Sequence, residues 1–236
     1  MKRVLVTTVP FAEYDRTPIS MLEQAGVKYE INPLNRKLKE EELITLAKDY
    51  TALIAGTEKI SSNVFENAPN LKLIARVGVG LDGVDLNSAR EKGIAVSYTP
   101  DAPAPAVSEL AIGLMFSMLR SIHHSNSQMH QGTWKRIFGR RLSECSVGIL
   151  GVGRIGKGTI KHLRGLGAKE ILANDVKPDE VFAQNYGIKW VDKETIYRTS
   201  DIISIHLPLT QETEDLITYN ELNMMKSDVV LINTAR

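Results

Sequence analysis

Short runs of aliphatic and β-branched residues alternate along the chain with longer stretches in which apolar residues recur every three or four positions. Residues 4–6, 27–31, 52–55, 71–75 and 94–98 read as strands. Between them, Ile19, Leu22 and Ala25 share one helical face that Gly26 stops, and residues 40–49 hold Leu43, Ile44 and Ala47 on one side. Ser61 or Ser62 is placed to cap a short helix, and residues 85–92 form another that ends at Gly93. Strands alternating with helices predict an α/β fold built on a parallel sheet covered on both faces.

Residues 99–105 (Thr-Pro-Asp-Ala-Pro-Ala-Pro) interrupt the rhythm with three prolines, so regular structure is not expected there and a domain boundary is. A long helix follows, in which Val107, Leu110, Ala111, Leu114, Met115 and Met118 fit a core-facing stripe. Residues 122–144 are polar and irregular, with His123, His124 and His130. No carboxylate or cysteine stands at ligand spacing, so no metal site is expected, and a solvated helix end or an oligomer arm fits better. From Ser146 the alternation resumes, with strands at 147–150, 171–174, 188–191, 202–205 and 229–232.

Composition narrows the function classes. The net charge is +1, with no basic excess to mark a nucleic-acid or anionic-membrane partner. A hydrophobic share of 43% suits a packed globular chain. Cys145 is the one cysteine, so an internal disulfide is excluded and a reducing, cytoplasmic setting is expected. The most apolar long stretch, residues 111–119, is too short to span a membrane.

Gly151, Gly153 and Gly156 form G-x-G-x-x-G between the strand at 147–150 and a helix expected over 154–166, and Asp175 follows 19 positions after Gly156 at the next strand end. In that context Gly151 permits the tight turn, Gly153 lets the backbone approach a pyrophosphate, and Gly156 lets helix and strand pack closely. The helix N-terminus, with Arg154 and Ile155, offers free N–H groups to phosphate. Asp175 is suited to accept from ribose hydroxyls and to repel a 2′-phosphate, which selects NAD over NADP. Gly151 to Lys157 also approaches a P-loop, but Gly158 stands where the Mg²⁺-binding hydroxyl belongs. No tyrosine has the lysine four residues on that short-chain dehydrogenases use.

Five ordered motifs resemble the D-isomer-specific 2-hydroxyacid dehydrogenases, phosphoglycerate-dehydrogenase-like members in particular. They are residues 75–85 (Ala-Arg-Val-Gly-Val-Gly-Leu-Asp-Gly-Val-Asp), Thr99-Pro100 with Val107-Ser108-Glu109, the glycine fingerprint with Asp175, residues 206–210 (His-Leu-Pro-Leu-Thr) with Thr213, and residues 233–236 (Asn-Thr-Ala-Arg). The resemblance implies two doubly wound parallel-sheet domains, a flavodoxin-like substrate domain over 1–98 and a Rossmann NAD-binding domain over 99–236. It implies NAD-dependent interconversion of a small D-2-hydroxy acid and its 2-keto acid, of phosphoglycerate, glyoxylate or hydroxypyruvate type. Backbone near Val79 and Gly80 would hold the substrate carboxylate, and Arg236 would clamp it and polarise the carbonyl. His206, Leu207, Pro208, Thr213, Thr234 and Ala235 would complete the cofactor site. His206 matches the motif's structural histidine; the family's base is a different, downstream histidine paired with a glutamate. A homodimer through the long helix and the 122–144 arm is also implied.

The sequence departs from the family in two places. It stops before the glutamate, the histidine and a last helix of the first domain, so both domains are expected to be incomplete at the C-terminal end and this stretch alone to be inactive. The Arg-Ser pair that meets phosphate in phosphoglycerate enzymes is replaced by residues 55–59 (Ala-Gly-Thr-Glu-Lys), where Glu58 would repel phosphate and Lys59 only partly offset it. A different class remains open, an NADH-sensing binding protein like the C-terminal-binding transcriptional corepressors, without significant turnover.

Overall fold

The computed structural model describes residues 3–235. The chain divides into two compact units, Met1–Pro103 and Ala104–Arg236, so the division falls after Pro103 rather than after Tyr98.

In the first unit β1 (Arg3–Val6), β2 (Lys28–Ile31), β3 (Ala52–Ala55), β4 (Leu73–Arg76) and β5 (Ala95–Tyr98) form a parallel sheet in the order β2-β1-β3-β4-β5. This is the flavodoxin-like order, with its switch point between β1 and β3. Helices α1 (Thr17–Gln24), α2 (Glu40–Ala47), α3 (Ser62–Asn67) and α4 (Leu86–Glu91) link the strands. Leu5, Leu53 and Ile74 lie side by side in register and are fully buried with Leu43 of α2, Val64 of α3 and Ala89 of α4. Each of the Leu, Ile and Val side chains contributes roughly 2 kcal/mol of burial. Gly26 and Gly93, at φ +63° and +64°, follow α1 and α4 in the left-handed region that ends a helix. Ser61 stands at the N-cap of α3, but its hydroxyl donates to Glu40 and makes no cap bond.

In the second unit α5 (Ala104–Leu119) and α6 (Ile122–His130) precede β6 (Ser146–Leu150), α7 (Arg154–Gly165), β7 (Glu170–Asn174), α8 (Glu180–Tyr186), β8 (Lys189–Trp190), α9 (Lys193–Thr199), β9 (Ile202–Ile205), α10 (Tyr219–Met224) and β10 (Val230–Asn233). The strands are all parallel in the order β10-β9-β6-β7-β8, which counted from β6 is the 3-2-1-4-5 order of a Rossmann sheet. Val147, Ile149, Ile171 and Ile202 face α5 and α7, while Leu150, Leu172 and Ile203 face the side of Ile196 and Tyr197 of α9. No single helix among the described residues is long and apolar enough to cross a membrane.

Three local expectations change. Ala104 and Pro105 lie inside α5, because a proline in the first turn lacks only an N–H that no helical carbonyl would receive. The buried stripe of α5 is Ala104, Ser108, Ala111, Met115 and Leu119, whereas Leu110, Leu114 and Met118 are exposed by 54%, 38% and 49%. Close packing decides this: a Cβ on Gly158 of α7 would come 2.9 Å from Ser108 Oγ, so the small face of α5 turns inward. Residues 122–130, expected to be irregular, form α6 without a single buried residue, and two of its histidines bond within the helix (His130 Nδ1 to Asn126 O at 2.9 Å, His124 Nε2 to Gln128 Nε2 at 3.2 Å).

Asp201 fastens the N-terminal edge of the second sheet. It accepts from Ser146 N and from Lys226 Nζ, both at 2.8 Å, and Arg140 lies 3.8 Å away. Burial raises its carboxyl pKa, but the Lys226 ammonium and the Ser146 amide outweigh burial and bring it below the ordinary aspartate range. A depressed pKa adds stability that is present above the unfolded value and lost as pH falls through the folded one. Asp201→Asn is therefore expected to destabilise the fold by about 1–3 kcal/mol at pH 7. In urea titrations that difference should shrink as pH falls from about 4, the ordinary value in the unfolded chain, through the lower value in the fold. A gap that stays constant with pH would show that charge at this position does not matter.

Candidate functional site

The three fingerprint glycines meet three different constraints. Gly151 has φ +91°, and a Cβ there would come 2.8 Å from His206 O. Gly156 lies against the turn, where a Cβ would stand 2.1 Å from Gly151 O. Gly153, the N-cap of α7, has nothing within 4 Å of an added Cβ, so the backbone lies open beside the free N–H groups of a 12-residue helix that begins with Arg154 and Ile155. Tight packing on two sides and open space on the third suit a pyrophosphate.

Asp175 follows β7 directly, and its Oδ2 accepts from Val152 N at 2.7 Å and its Oδ1 from Lys177 N at 2.8 Å. The carboxylate thus ties the glycine loop to the end of β7, and each oxygen keeps a lone pair for a ribose hydroxyl. The switch point of this sheet lies where β6 borders both β7 and β9, at the carboxyl ends where ligands bind in doubly wound sheets.

Next to it, a cavity of about 240 Å³ at the ends of β9 and β10 includes Leu207, Pro208, Thr213, Ala235, Asn233 and Asp215 in its wall. His206 and Thr234 do not line it. Thr213 Oγ1 accepts from Thr210 N at 2.8 Å and donates to Pro208 O, so this side chain staples the 208–213 loop. His206 Nε2 lies 3.0 Å from Ser204 Oγ, and burial lowers the imidazole pKa to about 4, which keeps the ring neutral at pH 7.

In the first unit Val79 and Gly80 lie in the loop after β4. Gly78, at φ +135°, donates from its N to Thr99 Oγ1 at 2.9 Å, and Thr99 N donates to Gly78 O at 3.0 Å, so residue 99 braces this loop. Among the described residues, no acceptor pairs with the amides of Val79 and Gly80. Sequence reading passed over Arg76, whose side chain is buried beneath the loop with Nη1 donating to Val77 O. The signal was present: Arg76 is in phase with buried Ile74 along β4. Glu58 corrects a second expectation. It is 3% exposed, and its Oε1 accepts from Gly56 N at 3.0 Å and from the Thr7 hydroxyl, so its charge is committed inward instead of facing a substrate. Lys59 is exposed and lies 3.7 Å from Glu40. Arg236 lies outside the described residues.

Residues 112–236 match the D-isomer specific 2-hydroxyacid dehydrogenase, NAD binding domain. The chain belongs to the D-isomer specific 2-hydroxyacid dehydrogenase family. Its second unit carries the family's NAD-binding domain, and NAD is the cofactor. The chain is 35% identical to a hydroxypyruvate reductase of Thermotoga maritima over 89% of its length, spanning 68% of that protein. It is also 35% identical to a D-3-phosphoglycerate dehydrogenase of Methanocaldococcus jannaschii over its whole length, spanning 44% of that relative. The apo-structure of D-lactate dehydrogenase from Escherichia coli superposes with a TM-score of 0.87 at 29% identity, covering 100% of this chain and 74% of the other.

Proposed function

We propose that the whole protein is an NAD-dependent oxidoreductase that interconverts a small D-2-hydroxy acid and its 2-keto acid. The observation that carries this reading is the glycine turn, closed at Gly151 and Gly156 and open at Gly153, in a chain of this family. The amides that start α7, with Arg154 and Ile155, hold the pyrophosphate. Asp175 accepts from the adenosine ribose and opposes a 2′-phosphate. Leu207, Pro208, Thr213 and Ala235 enclose the nicotinamide end, with His206 and Thr234 behind them. Bound NAD supplies or accepts the hydride. The Val79 and Gly80 amides and the Arg236 guanidinium take the substrate carboxylate, which orients the carbonyl.

The loop after β3 offers a phosphate no committed cation: Glu58 is turned inward and Lys59 lies near Glu40. An unphosphorylated acid such as hydroxypyruvate or glyoxylate is the better substrate. A homodimer through α5 is part of the proposal, supported by exposed Leu110, Leu114 and Met118, as is a cytoplasmic location.

NADH oxidation by the whole protein, measured against glyoxylate, hydroxypyruvate and 3-phosphohydroxypyruvate, tests both points. One of the first two should exceed the phosphorylated acid in kcat/KM by at least about tenfold. The reverse order would overturn the substrate assignment. Tight NADH binding with no turnover on any of them would favour the corepressor-like reading.

A further inference from the structure

The β9–β10 ladder ends at the pair Ile205–Asn233, and the next residue on each strand is His206 on one and Thr234 on the other. Ile205, Leu207, Asn233 and Ala235 line the cavity, whereas His206 and Thr234 alternate with them and do not. Side chains alternate across a strand, so the two belong to the opposite face, which Ile202 and Ile232 bury. His206 Nδ1 and Thr234 Oγ1 are both enclosed, and neither has a hydrogen-bond partner among the described residues. The other ring nitrogen, Nε2, is already engaged by the fully buried Ser204 hydroxyl at 3.0 Å. An enclosed polar atom left unsatisfied is destabilising, and two of them at equal height on adjacent strands can satisfy each other.

We propose that His206 Nδ1 carries the ring proton and donates it through one enclosed water to Thr234 Oγ1, so that Ser204, His206 and Thr234 form a hydrogen-bonded chain that fixes the backbone leading to Arg236. In a neutral imidazole one nitrogen accepts and the other donates, so the proposed Nδ1–H tautomer makes Nε2 the acceptor of the Ser204 hydroxyl in the 3.0 Å contact between them. His206 and Thr234 are then positioning residues. The catalytic part of the inference rests on the dehydrogenase reading, while the hydrogen-bonded chain itself does not.

The test follows the His206 ring nitrogens by ¹⁵N NMR in the whole protein. Wild type should show one neutral tautomer with Nδ1 protonated. Thr234→Val should shift these resonances and mix the tautomers, and Thr234→Ser, which keeps the hydroxyl, should restore them. In turnover, Thr234→Val should lower kcat/KM for the keto acid about tenfold with NADH affinity within about threefold, and Thr234→Ser should recover it. His206→Phe combined with Thr234→Val should be no worse than His206→Phe alone, because both remove one interaction. A His206 spectrum indifferent to Thr234→Val, or losses that add in the double variant, would overturn the proposal. A wild-type protein that turns over no keto acid sinks the dehydrogenase reading instead, and the NMR result alone then decides the hydrogen-bonded chain.

Discussion

Gly156→Ala is expected to weaken NADH binding by at least about 100-fold, about 2.7 kcal/mol. The added methyl would stand 2.1 Å from Gly151 O and 3.1 Å from Gly151 C, both backbone atoms. Neither can swing aside as a side-chain end does, so α7 must shift away from the end of β6, and the N–H groups that face the phosphates shift with it. Two other glycines of the same segment separate this effect from general damage. Gly153→Ala meets nothing within 4 Å among the described residues, so it should leave Tm unchanged and still weaken NADH by filling the space of approach. Gly165→Ala, at the far end of α7 with open space around it, should bind NADH normally. Calorimetric titration with NADH beside thermal melts of the three variants reads this out. Wild-type affinity in Gly156→Ala would show that the turn does not hold the cofactor.

Local structure set by neighbours in sequence is legible from the chain alone. The strand over 147–150, the turn at Gly151 and Gly153, the helix that takes in Gly156 and the strand end before Asp175 stand where the sequence predicts them, because a buried strand, a turn and a helix start are local events. In helix α5 the expected stripe holds at Ala111 and Met115, which are buried, and fails at Leu110, Leu114 and Met118, because hydrophobic spacing favours those three while the fit against Gly158 turns Ser108 inward. Helix α6 escaped notice because a helix polar on every side leaves no periodic trace. The inward turn of Glu58 is not legible in the sequence because one of its partners, Thr7, is 51 residues distant. Arg76, His206 and Thr234 show the same limit at the candidate site, since a motif gives a residue's place along the strand and only the sheet gives what faces it.

Replacing Arg236 with Met in the whole protein is expected to lower kcat/KM for the 2-keto acid by about 10²–10³, or 2.7–4 kcal/mol, with NADH affinity kept within about threefold. Strand β10 ends at Asn233. Asn233 Oδ1 accepts from Ala235 N at 3.0 Å, a local turn that sets the direction in which the chain leaves the strand. Position 236 follows at once, and a guanidinium there offers a planar fork to a carboxylate, charged at every working pH. Arg236→Lys keeps the charge and loses the fork, so it should recover only a small part of the activity, and mostly through KM. That separates the assignment from its rivals. A generic NAD-binding module predicts that both variants match wild type, and a binding protein without turnover predicts no keto-acid rate to lose. Full recovery in Arg236→Lys would mean that position 236 contributes charge alone, and that two-point recognition of the carboxylate comes from other residues.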